Sequence, residues 1–288
     1  MKLNRILVLA AALAVLPALP VVAMDQPASA DKALAAAVAG DWRTPKDTAR
    51  DQYRHPIESL TFWGLQPGTT ILEVQPGGGW WTEILAPYAK LTGGKFYATG
   101  ADLANPELPE ASRKARADFE ARYAAKPDIY GVVNVVNWGA RSAPLPKETF
   151  DFILTARSIH GWMGTPGMVE KTFREFHAAL RPGGILAVEQ HRANPGPQDP
   201  NAESGYVTEA YVIEQAEKAG FKLAAKAEIN ANPQDTKDHP FGVWTLPPAL
   251  RSTPEMSDKP EDKGFDHSKY VAIGESDRMT LKFVKPKK

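Results

Sequence analysis

Residues 72–80 read LEVQPGGGW, and the fold turns on how they are read. The apolar run TTILEV that closes at Val74 is short and lacks alternation, as expected of a strand covered on both faces. The glycines that follow remove Cβ atoms where the chain must turn and where backbone N–H groups can approach a ligand. Beyond the turn, Trp81, Leu85 and Tyr88 recur at helical spacing, with Pro87 ending or bending that helix.

Outward from this unit the alternation continues. KFYAT reads as a second strand, and Leu108, Ala111, Ala115, Phe119, Arg122 and Tyr123 outline an amphipathic helix. VVNVV at 132–136 and FDFILTA at 150–156 are further strands, separated by the proline-containing loop GARSAPLP. Thr165 and Pro166 predict a helix start, and Val169, Phe173, Phe176 and Leu180 its buried stripe; RPGG stops it before the strand ILAVEQ. A helix ending at Gly220 leads into the strand FKLAAKAEI. Residues 232–275, rich in Pro, Asp and Lys, read as a long insertion before the last strand, RMTLKFV, which alternates apolar and polar positions. Residues 31–64 form a helical lead-in in which Ile57, Leu60 and Trp63 share a face and Gly64 ends the helix. Alternating strands and helices imply one parallel α/β sheet, and two closing strands joined by a loop imply a terminal antiparallel pair.

With 288 residues, 43% of them hydrophobic, the chain can bury a sizeable core as a single domain over residues 31–288. Lys+Arg and Asp+Glu both number 34, so no net charge points to nucleic acid as a partner. Residues 1–30 carry Lys2 and Arg5, then an apolar run, then ASA, the pattern of a secretory signal peptide cleaved after Ala30 or Ala23. The alternative, an uncleaved anchor helix, must place Pro17 and Pro20 inside its apolar run. Export implies a periplasmic protein with no stable membrane insertion once the signal is removed. The absence of cysteine excludes disulfides, thiolate ligands and a cysteine nucleophile.

In an open α/β sheet, ligands bind outside the carboxyl ends of the strands, where the strand order reverses. Glu73 ends the first strand, Asp102 follows the second, where an acid can accept from ribose hydroxyls, and Asn137 follows the third, near an adenine edge. A dinucleotide loop would read G-x-G-x-x-G, but Thr82 stands at its third glycine, and no Walker lysine follows.

ILEVQPGGGW, FDFILTARSIH and LRPGGILAVEQ resemble the signature stretches of class I S-adenosylmethionine-dependent methyltransferases. RHPIESLTFWGL, PGGGWWTEILAPY and DRMTLKFVKP are similar to an exported proteobacterial family of predicted methyltransferases, over roughly residues 45–286. The resemblance implies a Rossmann-like, seven-stranded, mainly parallel sheet with the last strand antiparallel and helices on both faces. It implies S-adenosyl-L-methionine as cofactor, held by Glu73, Gln75, Gly77, Gly78, Gly79, Asp102 and Asn137, and methyl transfer to a small-molecule acceptor. The sequence departs from the family loop E-x-G-x-G-x-G at its opening glycine, where Gln75 stands, with Pro76 beside it. This departure keeps open a non-catalytic periplasmic ligand-binding protein on the same fold.

Methyl transfer needs alignment and, for a protonated nucleophile, a base. His160 and His191, after the fourth and fifth strands, are the candidate bases, with Glu189 and Arg192 beside them. Arg157, which could bind an anionic acceptor or merely pair with an acid, and Trp162, which could equally pack, are candidate acceptor contacts, and Trp80 is a candidate cage for a sulfonium. His55 reads as part of a lid or as a helix cap, and His177 as surface or packing. DTKDHP at 235–240 sets acids near His239, but metal sites need several convergent ligands and a single loop does not supply them, so no metal is assigned.

Overall fold

The computed structural model describes residues 32–253 and 264–287; the signal-peptide reading and both cleavage positions lie outside them. The lead-in breaks into four short helices, α1 (Lys32–Val38), α2 (Pro45–Thr48), α3 (Asp51–Arg54) and α4 (Pro56–Trp63). His55 makes the break between the last two. It takes up φ 41°, donates its N–H to Asp51 O at 2.8 Å, and is followed by Pro56 at the first position of α4. His55 is therefore a cap. Gly64, at φ 81°, ends α4 as its position predicts.

β1 (Thr70–Val74), α5 (Thr82–Thr92), β2 (Lys95–Gly100), α6 (Glu110–Ala124), α7 (Pro127–Tyr130) and β3 (Val133–Asn137) form the first half. Pro87 neither ends nor divides α5, which runs on to Thr92. The second half comprises β4 (Phe150–Ala156), α8 (Ile159–Met163), α9 (Met168–Ala179), β5 (Leu180–His191), α10 (Glu209–Lys218) and β6 (Lys222–Ala227). Residues 242–245 make a turn of 3-10 helix, and α11 (Ser268–Ile273) precedes β7 (Arg278–Val284). Two local expectations are corrected. Helix α9 starts at Met168 rather than at Pro166, because Gly167 at φ 75° supplies the entry turn. RPGG does not separate helix from strand but belongs to β5, across from a register shift between Phe150 and Phe152.

The sheet has the order β3-β2-β1-β4-β5-β7-β6, with β7 antiparallel to both its neighbours and the other pairings parallel. The order reverses between β1 and β4, so the loops leaving those strands open a crevice at the switch point. Alternation along β1 sends Leu72 and Val74 into one core, with α9 and α10, and Ile71 into the other, with α1, α4 and α5. Trp63 fastens the lead-in to β7, the strand next to the sheet's edge, through Nε1–H donated to Leu281 O at 3.0 Å. Among the described residues no helix is long and apolar enough to cross a membrane.

Candidate functional site

The turn after β1 is held open by three kinds of contact. Gln75 lies in the left-handed region at φ 49°, as do Gly77 at 56° and Gly79 at 87°. The Gln75 N–H donates to Thr99 Oγ1 at 2.8 Å, and its side-chain Oε1 accepts from Trp162 Nε1 at 2.8 Å. The side chain at the loop's opening position is thus occupied with α8. From α6, Arg122 donates to Gly78 O at 2.9 Å and pairs with Glu83, while a Cβ built on Gly79 would overlap the Tyr123 hydroxyl. Only glycine fits at 79, for its conformation and for its space.

Gln75, Pro76 and Gly77 border two lobes of one crevice. The first, about 310 Å³, lies over the ends of β1, β2 and β3 and is lined by Thr99, Gly100, Arg116, Phe119, Val135 and Trp138, among others. Trp138 is buried there, and its Nε1 has no hydrogen-bond partner. Arg116 braces the rim through Ala101 O at 2.7 Å, Val135 O at 3.3 Å and the Asn137 amide oxygen.

The second lobe, about 400 Å³, lies over β1, β4 and β5. Its lining includes Arg50, Arg54, Gly78, Arg157, His191 and Glu275, with Val243, Trp244 and Leu246–Ala249 as an outer wall. Arg157 leaves β4 at φ 56°, a second left-handed non-glycine residue at the switch point. Along this lining runs a chain of ion pairs, buried at Arg54, Arg278, Glu189 and Glu275: Arg50–Glu275 at 2.6 Å, Arg54–Glu275 at 3.0 Å, Arg278–Glu275 at 3.2 Å, Arg278–Glu189 at 2.7 Å and Arg157–Glu189 at 3.3 Å. Burial raises the Glu275 carboxyl, but Arg278, Arg54 and Arg50 outweigh it and hold its pKa at about 2. Burial also raises Glu189, and Arg278 and Arg157 bring it below the ordinary range.

His191 borders this lobe, and its Nδ1 lies 2.6 Å from Ser276 Oγ. Burial, then the His160 ring and the Arg157 and Arg278 guanidiniums, push its pKa well below the usual histidine range, so it is neutral at pH 7. His160 stands behind it, ring centroids 5.5 Å apart, with Nδ1 at 3.1 Å from Gln190 Nε2; burial lowers its pKa too.

Residues 72–188 match the family model of a methyltransferase domain. With that match on a sheet of this order, the architecture is decided. The fold is that of the class I methyltransferases. Solved structures of the same fold include a putative sarcosine dimethylglycine methyltransferase from Galdieria sulphuraria, 12% identical with a TM-score of 0.50, over 83% of this chain and 86% of that one. The chain is also similar to an S-adenosylmethionine-dependent methyltransferase from Aquifex aeolicus, 23% identical with a TM-score of 0.46, over 63% of this chain and 87% of that one. No curated protein matches the chain.

On this methyltransferase fold the residues singled out from sequence separate. Gln75 and Gly77 border both lobes, and Gly78, Arg157 and His191 the second. Glu73 does not line the crevice. The pleat turns it under α5, where it is buried and accepts from Thr82 Oγ1 at 2.6 Å; burial, partly offset by that bond, raises its pKa to about 8. Asp102 does not line it either, its carboxylate closing a turn onto Ala104 N at 3.0 Å. Asn137 sits outside the lobe, bonded to Arg116. Trp162 is buried against Trp138 and Phe176 and supports Gln75 rather than facing the crevice. Trp80 borders the second lobe, but the Arg54 and Arg43 guanidiniums lie over its ring at 4.8 and 5.2 Å, where a sulfonium was expected. Arg192 is turned away, pairing with Glu209, Glu228 and Asp277. His177 packs on Phe221. His239 bonds Asp235 at 2.8 Å, and among the described residues no three metal-ligating side chains converge.

Sequence reading missed Arg50, Arg54, Glu275 and Ser276. Arg50 and Arg54 stand four apart, one helical turn, immediately before the highlighted His55. Glu275 and Ser276 close the proline-rich insertion and carry no signal of their own.

Proposed function

We propose that the protein transfers a methyl group from S-adenosyl-L-methionine to a small-molecule acceptor. The observation that supports this most is the glycine turn at the switch point, which opens to both lobes and is built so that no side chain fills it. The residues fit the cofactor: a turn open at Gly77 and Gly78 whose shape Gly79 holds against Tyr123, an unpartnered Trp138 Nε1 beside the first lobe, and a crevice of the size that small-molecule sites require. Thr99, Gly100, Phe119 and Trp138 would hold the nucleoside end and Gly77 and Gly78 the amino-acid end. The cofactor supplies a sulfonium-bound methyl group that leaves as the carbon–sulfur electron pair returns to sulfur.

The chain's own contribution is alignment and proton removal. His191 is the better base because it borders the second lobe and is held neutral. The tautomer that donates Nδ1–H to Ser276 Oγ leaves a lone pair on Nε2 to accept the acceptor's proton. Its depressed pKa keeps that lone pair available as pH falls below about 6.5, so the acid limb of the rate profile lies below the ordinary histidine range. His160 orders Gln190 and the His191 ring and takes no proton.

Calorimetric titration with S-adenosylhomocysteine tests the cofactor assignment. Micromolar-order binding is expected, weakened by about tenfold or more in Gly78→Leu, because a Cβ there meets nothing within 4 Å and the larger side chain enters the crevice without disturbing the fold. Absence of binding to folded protein would leave the ligand-binding reading, which Gln75 in place of glycine favours. We also propose export to the periplasm; the mass of the mature N-terminus from fractionated cells, cut after Ala23 or Ala30, tests it.

A further inference from the structure

The second lobe carries more positive charge than its own carboxylates answer. Arg50, Arg54 and Arg157 border it and Arg278 lies directly behind, while only Glu189 and Glu275 are interleaved with them. Asp47 reaches the rim, and its carboxylate accepts from Thr44 Oγ1 at 2.6 Å. Arg54 is 2% exposed, yet its Nη1 is buried with no hydrogen-bond partner. An orphaned guanidinium donor inside a cavity is costly unless an acceptor arrives to meet it. The left-handed backbone at Arg157 adds a second cost at the same wall, the kind of local strain that a site retains when ligand binding uses it.

We infer that this lobe is an anion site and that the methyl acceptor carries a carboxylate or a phosphate, gripped by Arg54 and Arg157. The inference rests on the assignment of the glycine turn to S-adenosylmethionine. That cofactor cannot supply the missing negative charge. Its amino-acid end carries an ammonium along with its carboxylate, and its sulfonium is a further cation, so it enters the crevice with net positive charge. An anionic acceptor neutralises both, and guanidinium forks match the two-oxygen geometry of carboxylate and phosphate. Val243, Trp244 and Leu246–Ala249 add an apolar wall, and the lobe's volume of about 400 Å³ suits a small molecule.

The test is titration of the full chain with inorganic phosphate, in the presence and absence of saturating S-adenosylhomocysteine. Phosphate is expected to bind with a Kd of about 1 mM or tighter in both conditions. Arg54→Gln and Arg157→Gln should each weaken phosphate by about tenfold and leave S-adenosylhomocysteine within about twofold. Where Arg54→Gln does not fold, Arg50→Gln, at a partly exposed position, serves in its place. Phosphate displaced by S-adenosylhomocysteine, or variants that lose S-adenosylhomocysteine along with phosphate, would assign the arginines to the cofactor carboxylate and overturn the inference. So would failure of phosphate to bind the wild type. Phosphate binding by a folded chain to which S-adenosylhomocysteine itself does not bind at any concentration would instead remove the methyltransferase assignment and leave the anion site standing.

Discussion

The two lobes of the crevice are built in opposite ways. The first takes its lining from one continuous passage of chain, residues 75–138, the strand–turn–helix units of the first half-sheet. The second draws on six separated pieces: residues 47–54 of the lead-in, the glycine turn, the end of β4, the end of β5, residues 243–249, and Glu275 with Ser276. One lobe is shaped by backbone, with glycines and a tryptophan; the other is held by a chain of buried ions. The difference teaches where each can be damaged. A continuous lobe fails through its turn, an assembled one through the charges that join its pieces.

The largest effect is expected from Arg278→Met. Arg278 is 1% exposed and joins Glu189 to Glu275 while donating to Tyr53 O at 2.7 Å. Its removal leaves two buried carboxylates short of a partner, a loss of about 3–5 kcal/mol in denaturant unfolding. The first lobe's strand end offers a comparable effect of pH. The folded pKa of Glu73, about 8, lies above its unfolded value near 4.5, so its contribution is fully present below the unfolded pKa and is lost as pH rises through 8. Stability should therefore fall by a few kcal/mol across that window and level off above it, and Glu73→Gln, which keeps an acceptor for Thr82, should flatten the fall.

Gly79→Ala comes next. The left-handed backbone and the overlap with Tyr123 should cost about 1–3 kcal/mol and abolish S-adenosylhomocysteine binding, with phosphate binding in the second lobe surviving. Loss of both ligands together would show that the lobes are a single site. The smallest effect belongs to Gln75→Gly. Relief of φ 49° is set against the loss of the bond from Trp162, so stability should change by about 1 kcal/mol or less. A large drop in S-adenosylhomocysteine affinity there would make the glutamine a ligand contact, not a brace.

Much of the fold was legible because strands and helices announce themselves by period. TTILEV, FDFILTA and ILAVEQ carry unbroken apolar runs at their centres since both faces of the central sheet are covered, and RMTLKFV alternates beside the sheet's edge. The glycine turn was legible for the same reason: its conformational demand is local. The departure at Gln75 was visible, but its outcome depended on Trp162, 87 residues away. Glu73 and Asp102 stand where the pattern places them, yet side-chain direction is set by Thr82 and by the turn at Ala104, which no spacing encodes. Of the arginine wall only Arg157, at the end of a strand, was legible; its partners across the lobe were not. Arg50 and Glu275 are 225 residues apart, and each alone is an ordinary surface charge.

The pairing of β5 with β7 has a practical consequence for anyone dissecting the protein. A fragment trimmed to the matched residues 72–188 would keep the lining of the first lobe but end its sheet at a bare β5, whose row of unpaired amides and carbonyls is a template for other chains. It would also forfeit Arg54 and Glu275 together. Such a fragment would aggregate through its open edge and could not be used to test the proposed anion site, because half of the arginine lobe comes from the two flanks that a domain boundary cuts away.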